Sequence, residues 1–212
     1  MGKLISIVGN LGAGKTTLTK LLCEYGPFIP YWEKPEERPF QAQFTKDFRT
    51  WALANQLDFF LFRCNQEVSI RQSNEIAVMD GGLDQDFHVF TCHIFNKGYI
   101  NNDEFNLCKR FYHFTRSILP PPDLVIRISI DISTLLQRRS LRGRKIADQD
   151  FSIQELSELE RLLGAWLEEE KIVPVLNLPF NQEIQVYNSE INLLVSRIMD
   201  LLFPTTPTPI QQ

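Results

Sequence analysis

Residues 9–17 read GNLGAGKTT and follow directly on the apolar run 4–8. The glycines free backbone N–H groups to point inward and cradle a polyphosphate, and the positive end of the helix that follows adds to the attraction. Gly9, Asn10, Gly12, Ala13, Gly14, Lys15, Thr16 and Thr17 are therefore the candidate ATP-binding residues of a Walker A loop. Lys15 has the reach for the β and γ phosphates, and the Thr16 hydroxyl is placed for Mg²⁺. The competing reading is a glycine-rich turn without a ligand.

Three further groups carry chemistry. Glu33, in the segment YWEKPEE, is the candidate base for an acceptor hydroxyl, with Glu36 and Glu37 as rivals and a solvated acidic loop as the plain alternative. Asp80 ends the run IAVMD, where an acid can hold Mg²⁺ directly or through water, although Asp-Gly is also a turn signal. Arg138, Arg139, Arg142, Arg144 and Lys145 crowd five positive charges into eight residues and suggest a basic lid at about 138–150 that closes over ATP. A solvated basic face is the alternative. Gln56 and Arg63 lie two helical turns apart, and Arg63 has a possible partner in Asp86. A Gln amide can pair with a base edge. Spacing alone favours a surface Gln and aromatics packed in a core. The three histidines, His88, His93 and His113, have no metal-ligand spacing and receive no role.

These groups need a frame to bring them together. Candidate strands at 4–8, 28–32, 76–79, 124–130 and 173–176 alternate with helical patterns at 15–25, 45–72, 84–96, 103–118, 132–145, 153–171 and 183–203. The near-continuous apolar strands predict a P-loop NTPase-type α/β fold, a doubly wound, parallel, five-stranded sheet flanked by helices. Such sheets bind ligands beyond the C-terminal strand ends, where Gly9, Glu33 and Asp80 would meet. One domain over 1–203 and a disordered tail at 204–212 are expected. With 212 residues, net charge −4, four scattered cysteines, no signal-peptide pattern and no membrane-length apolar run, the chain reads as cytoplasmic, with neither a nucleic-acid polymer nor a membrane as partner.

In order along the chain, these elements resemble the deoxyribonucleoside kinases, the group that includes the bacterial deoxyadenosine/deoxyguanosine kinases. The resemblance runs from Lys3 to about Trp166 and rests on GNLGAGKTT, Glu33 with Pro35-Glu36 and Pro39-Phe40, WALANQ with Arg63, Asp80 with Asp86, and the lid sequence LRGR. It implies ATP- and Mg²⁺-dependent phosphoryl transfer to a nucleoside 5′-hydroxyl. Glu33, Lys15 and Arg142 are then catalytic, Thr16 and Asp80 hold the metal, and Glu33, Gln56, Arg63 and Asp86 bind the substrate. Arg138, Arg142 and Arg144 are lid arginines on ATP, and a helix-packed homodimer is implied. A catalytically weak nucleotide- or nucleoside-binding module and a nucleoside monophosphate kinase, the latter using Arg63, Arg71 and Arg110, are the alternatives. The chain departs from the family pattern at Gly81-Gly82 (usually Arg-Ser), at Thr45 (commonly Tyr) and at Ile146-Ala147 (commonly acidic). Two of these departures fall on sugar recognition. The first removes a charge beside the reacting phosphate, for which Arg139 and Lys145 are candidate substitutes.

Overall fold

Five short strands, β1 (Lys3–Gly9), β2 (Phe28–Tyr31), β3 (Ile76–Asp80), β4 (Leu124–Ser129) and β5 (Val175–Pro179), pair side by side. All four pairings are parallel, in the order β2-β3-β1-β4-β5. The computed structural model describes residues 1–33, 38–142, 151–170, 172–179 and 184–204. Helices α1 (Lys15–Tyr25), α2 (Gln41–Phe44), α3 (Phe48–Gln72), α4 (Leu83–Gln85), α5 (Cys92–Asn96), α6 (Asn102–Ile118), α7 (Ile132–Arg142), α8 (Ile153–Glu169) and α9 (Ile184–Leu202) flank the sheet, and a π-helical turn, Asp86–Thr91, joins α4 to α5.

The period-2 alternation of a strand sorts β1 between two layers. Ile5 and Ile7 face Leu18 and Leu22 of α1 and Ile191, Ile198 and Leu202 of α9. Leu4 packs with Ile70 of α3 and Met79, while Val8 packs with Leu159, Leu163 and Trp166 of α8. Both faces are covered, which is why β1 is apolar almost without interruption.

Two expected boundaries shift. The helix expected at 45–72 begins at Phe48, after Asp47, whose extended backbone and side chain cap Thr50 N at 3.1 Å, and a separate short α2 precedes it. The fifth strand runs over Val175–Pro179 rather than 173–176. Pro174 has no N–H to give the ladder, and its carbonyl instead accepts from Val125 N at 3.0 Å. Helix starts are chemically explicit. Asn101 with Glu104, and Ser152 with Glu155, form reciprocal capping boxes at α6 and α8. The expected tail beyond Pro204 lies outside the described residues.

A buried charge network locks α3, α4 and α6 together. Arg116 donates to both oxygens of Glu67 (2.7 and 2.9 Å) and to both oxygens of Asp84 (2.8 Å each), and Tyr112 Oη donates to Asp84 at 2.9 Å. Burial pushes the Glu67 carboxyl above its ordinary range, and the Arg116 guanidinium counters that shift. The network anchors α4, and thereby the turn that carries Asp86. Removing one member of a buried ion cluster leaves uncompensated charge. Arg116→Met is therefore expected to lower unfolding free energy by about 3–5 kcal/mol in urea denaturation, and a loss under about 1 kcal/mol would show that the network carries no stability.

Candidate active site

The phosphate cradle is built where β1 gives way to α1. Gly12 and Gly14 take left-handed backbone conformations (φ 80° and 109°) that side-chain-bearing residues rarely adopt. A Cβ at Gly9 would lie 3.0 Å from the Ile128 carbonyl oxygen, so the loop also needs glycine where it passes β4. Two side chains from distant elements, Gln85 and Arg138, and the loop's own Asn10 hold the loop. Gln85 Nε2 donates to Gly9 O at 2.8 Å, and Gly9 N returns a longer bond of 3.4 Å to Gln85 Oε1. Asn10 Nδ2 donates to Leu156 O of α8 at 2.8 Å, and Arg138 of α7 donates to Ala13 O at 3.3 Å. Lys15 Nζ lies within the loop, 3.2 and 3.1 Å from the Gly9 and Asn10 carbonyls. Thr17 follows in the first turn of α1.

Beside the cradle, Thr16 Oγ1 donates to Asp80 Oδ2 at 2.5 Å. The register of the sheet arranges this contact: Ile7 of β1 pairs with Asp80 of β3, so the acid emerges next to the start of α1.

A cavity of about 340 Å³ opens from this corner, and its lining includes Lys15, Glu33, Gln56, Arg63, Asp80 and Asp86. Glu33, just past β2, is gripped by two arginines: Arg38 Nη2 lies 2.5 Å from Oε1 and Arg63 Nη2 lies 3.6 Å from Oε2. Arg63 in turn donates from Nε to Asp86 at 3.1 Å and from Nη1 to Gln66 at 3.2 Å. Gln66 also donates to Trp32 O at 2.8 Å, tying the end of β2 to α3. Two guanidiniums and two carboxylates thus form one cluster, in which Arg38, Arg63 and Asp86 are buried and Glu33 keeps an exposed side. Burial raises the Asp86 carboxyl to about 6, and the adjacent Arg63 guanidinium limits the rise. The π turn spends an extra residue, and Thr91 Oγ1 bonds back to Asp86 O at 2.9 Å. The same hydroxyl donates to Gln56 Oε1 at 2.9 Å, fixing that amide in the cavity wall.

A family model described as deoxynucleoside kinase matches residues 5–202. The chain belongs to the deoxynucleoside kinase family. As a member it is a phosphotransferase that moves a phosphoryl group from an ATP-type donor to the 5′-hydroxyl of a nucleoside. It is 26% identical over 203 residues to a deoxyguanosine kinase of Bacillus subtilis (strain 168), covering 93% of this chain and 97% of that protein. It is also 26% identical over 183 residues to a deoxyadenosine kinase of Dictyostelium discoideum, covering 85% and 74%. Its fold matches a deoxyadenosine kinase structure from M. mycoides with bound dCTP, at TM-score 0.76, 19% identity and coverage of 92% and 98%.

The kinase gathers most of the residues expected from the sequence into this one corner. Glu33, Lys15, Gln56, Arg63, Asp80 and Asp86 all line the cavity. Arg142 ends α7, and its side chain, Arg139's side chain, and Arg144, Lys145 and Ile146-Ala147 lie outside the described residues, as do Glu36 and Glu37. Arg71 sits at the opposite end of β1, bonded to Gly2 O, Asp123 and Pro121 O, and Arg110 is exposed on α6. Arg63, Arg71 and Arg110 therefore form no acceptor-phosphate pocket. Thr45 is exposed and bonds Ala42 O at 3.0 Å, whereas Phe44 and Tyr99 line the cavity.

Gly81 has a steric reason. Its φ is +81°, and a Cβ there would come within 3.0 Å of Arg63 Nη2. The space is used by Arg63, and the cations beside Glu33 are Arg38 and Arg63. Sequence reading missed Gln85, Arg38 and Asn55, and it gave His93 no role, although His93 lines the cavity and bonds Glu158 at 3.0 Å. Gln85 carries no motif, and Asn55 stands only within WALANQ, with no role of its own. Arg38 was visible only as a basic residue following three glutamates.

Asp86 gives a direct test. Its native pKa lies above the unfolded value of about 3.9, so the folded state takes up the proton first. Its contribution to stability therefore falls as pH rises from about 4 to about 6 and is level above that. The Asp86 carboxyl ¹³C resonance is expected to titrate near pH 6, and a midpoint at or below about 4 would contradict a burial-dominated site.

Proposed function

We propose that Glu33 is the general base of this kinase and that the nucleoside lies between it and the Walker A loop. The observation that carries the reading is that Glu33, Lys15 and Asp80 line one cavity. Glu33 takes the 5′-hydroxyl proton as that oxygen forms its bond to the γ-phosphorus, the bond from that phosphorus to the bridging β–γ oxygen breaks, and the diphosphate departs with the electron pair. The backbone amides of Gly9, Asn10, Gly12, Ala13 and Gly14, with Lys15 and Thr17, hold the donor's phosphates. Arg138, Arg142 and Arg144 add positive charge from the α7 side, a reading supported by the Arg138 contact to Ala13 O. Gln56, Arg63 and Asp86 hold the nucleoside, and Arg63 with Arg38 orients Glu33. Such a site works by positioning and by charges set in place before the reaction.

Mg²⁺ suits the Thr16–Asp80 corner, where a hydroxyl and a carboxylate, both hard oxygen donors, meet at 2.5 Å beside the phosphate cradle. Thr16 and Asp80 would hold it, and it would neutralise charge on the donor's phosphates.

We further propose a cytoplasmic homodimer that does not bind nucleic-acid polymers. The four cysteines are free, and no helix among the described residues is long and apolar enough to cross a membrane. Leu61 and Val68 of α3 and Phe114 and Ile118 of α6 expose apolar surface on two adjacent helices, a suitable face for a second copy.

Incubation with ATP, Mg²⁺ and a panel of deoxynucleosides is expected to yield 5′-monophosphates. Loss of general-base catalysis makes Glu33→Gln about 10²–10⁴-fold slower in kcat. Lys15→Ala should lose donor-phosphate stabilisation as well. An unchanged kcat in Glu33→Gln removes Glu33 from the mechanism, and absence of phosphorylation with every nucleoside removes the acceptor assignment.

A further inference from the structure

The acceptor end of the cavity contains polar atoms that the fold buries and leaves unpaired. Arg38 Nε and Nη1, Gln41 Oε1 and Asn55 Oδ1 have no hydrogen-bond partner among the described residues, and all three residues line the cavity. Arg38 is only 3% exposed. Its guanidinium is fixed from two sides, by Glu33 through Nη2 and by the Phe59 ring, whose centroid lies 3.8 Å away. Buried donors and acceptors without partners are destabilising unless something bound supplies the missing bonds. We infer that Arg38, Gln41 and Asn55 read the base of the acceptor nucleoside and select a 6-oxopurine over a 6-aminopurine. The inference rests on the proposed placement of the nucleoside in this cavity.

Charge and hydrogen-bond polarity lead to this choice. The charged groups acting on Arg38 are Glu33, Arg63, Asp86 and Asp58, of which the first three line the cavity. The inner four, Arg38, Arg63, Glu33 and Asp86, pair among themselves, two positive and two negative. That balance suits a neutral ligand edge rather than another anion. Gln56 has its oxygen engaged by Thr91, so the group it can still offer is its amide NH₂. Together with Arg38 Nε and Nη1, the wall presents several N–H donors and, at Asn55 and Gln41, two acceptors. A purine with a carbonyl at C6 offers that oxygen and N7 to donors, and its N1–H to an acceptor. An amine at C6 would set N–H against N–H at Arg38. Phe44, Phe90 and Tyr99 in the same lining supply apolar faces for the ring.

Deoxyinosine and deoxyadenosine make a close-matched test pair, since they differ only at C6 and in the N1 proton that accompanies it. Steady-state kcat/KM and calorimetric affinity of the full chain are measured for both. The wild type should favour deoxyinosine. Arg38→Met should lower the deoxyinosine-to-deoxyadenosine ratio by about 10–100-fold, the loss expected when a charge-assisted hydrogen bond to the substrate disappears. Because Arg38 also holds Glu33, absolute rates fall for both nucleosides, and the ratio isolates base reading. Asn55→Leu, which leaves Glu33 and Arg38 in place, should shift the ratio in the same direction and serves if Arg38→Met does not fold. A wild-type preference for deoxyadenosine, or a ratio unmoved by either substitution, overturns the inference while phosphorylation continues. Binding with the predicted ratio but no phosphorylation keeps this inference and removes the catalytic role of Glu33. If neither nucleoside binds, both readings fall.

Discussion

The parallel register of β1 against β3 is the constraint on which the site depends. Ile7 pairs with Asp80, and Gly81 N continues the ladder by donating to Ile7 O at 2.9 Å. That pairing delivers the carboxylate of β3 to the Thr16 hydroxyl. A shift of one residue would turn Asp80 to the other face of the sheet. The same register sets Gly81 and Gly82 next to β1, where Ser6 Oγ donates to Gly81 O at 2.6 Å. A Cβ at Gly82 would meet that Ser6 oxygen at 2.8 Å. The turn can therefore leave β3 only in a conformation that opens space for Arg63.

From that turn onward, the chemistry is governed by paired charges, three of them buried. Glu33 lies at the end of a short strand, yet Arg38 and Arg63 hold it against the cavity. Arg63 is almost fully buried, and burial alone would disfavour its charge. The carboxylates of Asp86 and Glu33 reverse that balance and raise its pKa. In water such pairs contribute little, but the buried Arg63–Asp86 pair fixes the geometry. The Arg116 network performs a parallel task one layer further out. It holds α4 in place, so that Gln85 can clamp Gly9 and the π turn can present Asp86. The phosphate cradle and the acceptor cavity are in this way braced by the same segment of chain.

The parts legible in the sequence were those whose chemistry is local. A glycine-rich loop needs particular backbone angles at neighbouring positions, so residues 9–17 announce themselves. Asp80 is legible because it ends an apolar run, and the helices are legible because their stripes repeat. Arg38 and Gln85 act through partners 5 and 76 positions away and Asn55 through the cavity, and no spacing rule connects them. The π turn was invisible because one extra residue in a turn leaves the apolar pattern nearly intact. Asp47 and Pro174 moved element boundaries through single hydrogen bonds, a cap gained and a ladder donor missing, which periodicity does not register. Gly81 read as a lost charge, whereas in three dimensions it is the room that Arg63 occupies.

The central claim is that the acceptor hydroxyl sits between Glu33 and the phosphates held by the loop before Lys15. A crystal structure with a deoxynucleoside and a non-hydrolysable ATP analogue tests it most directly. The account predicts the 5′-oxygen within hydrogen-bond distance of a Glu33 carboxylate oxygen, about 2.6–3.2 Å, and facing the terminal phosphorus. A nucleoside bound with its 5′-oxygen directed away from Glu33, or a triphosphate seated outside the loop of residues 9–17, would contradict it.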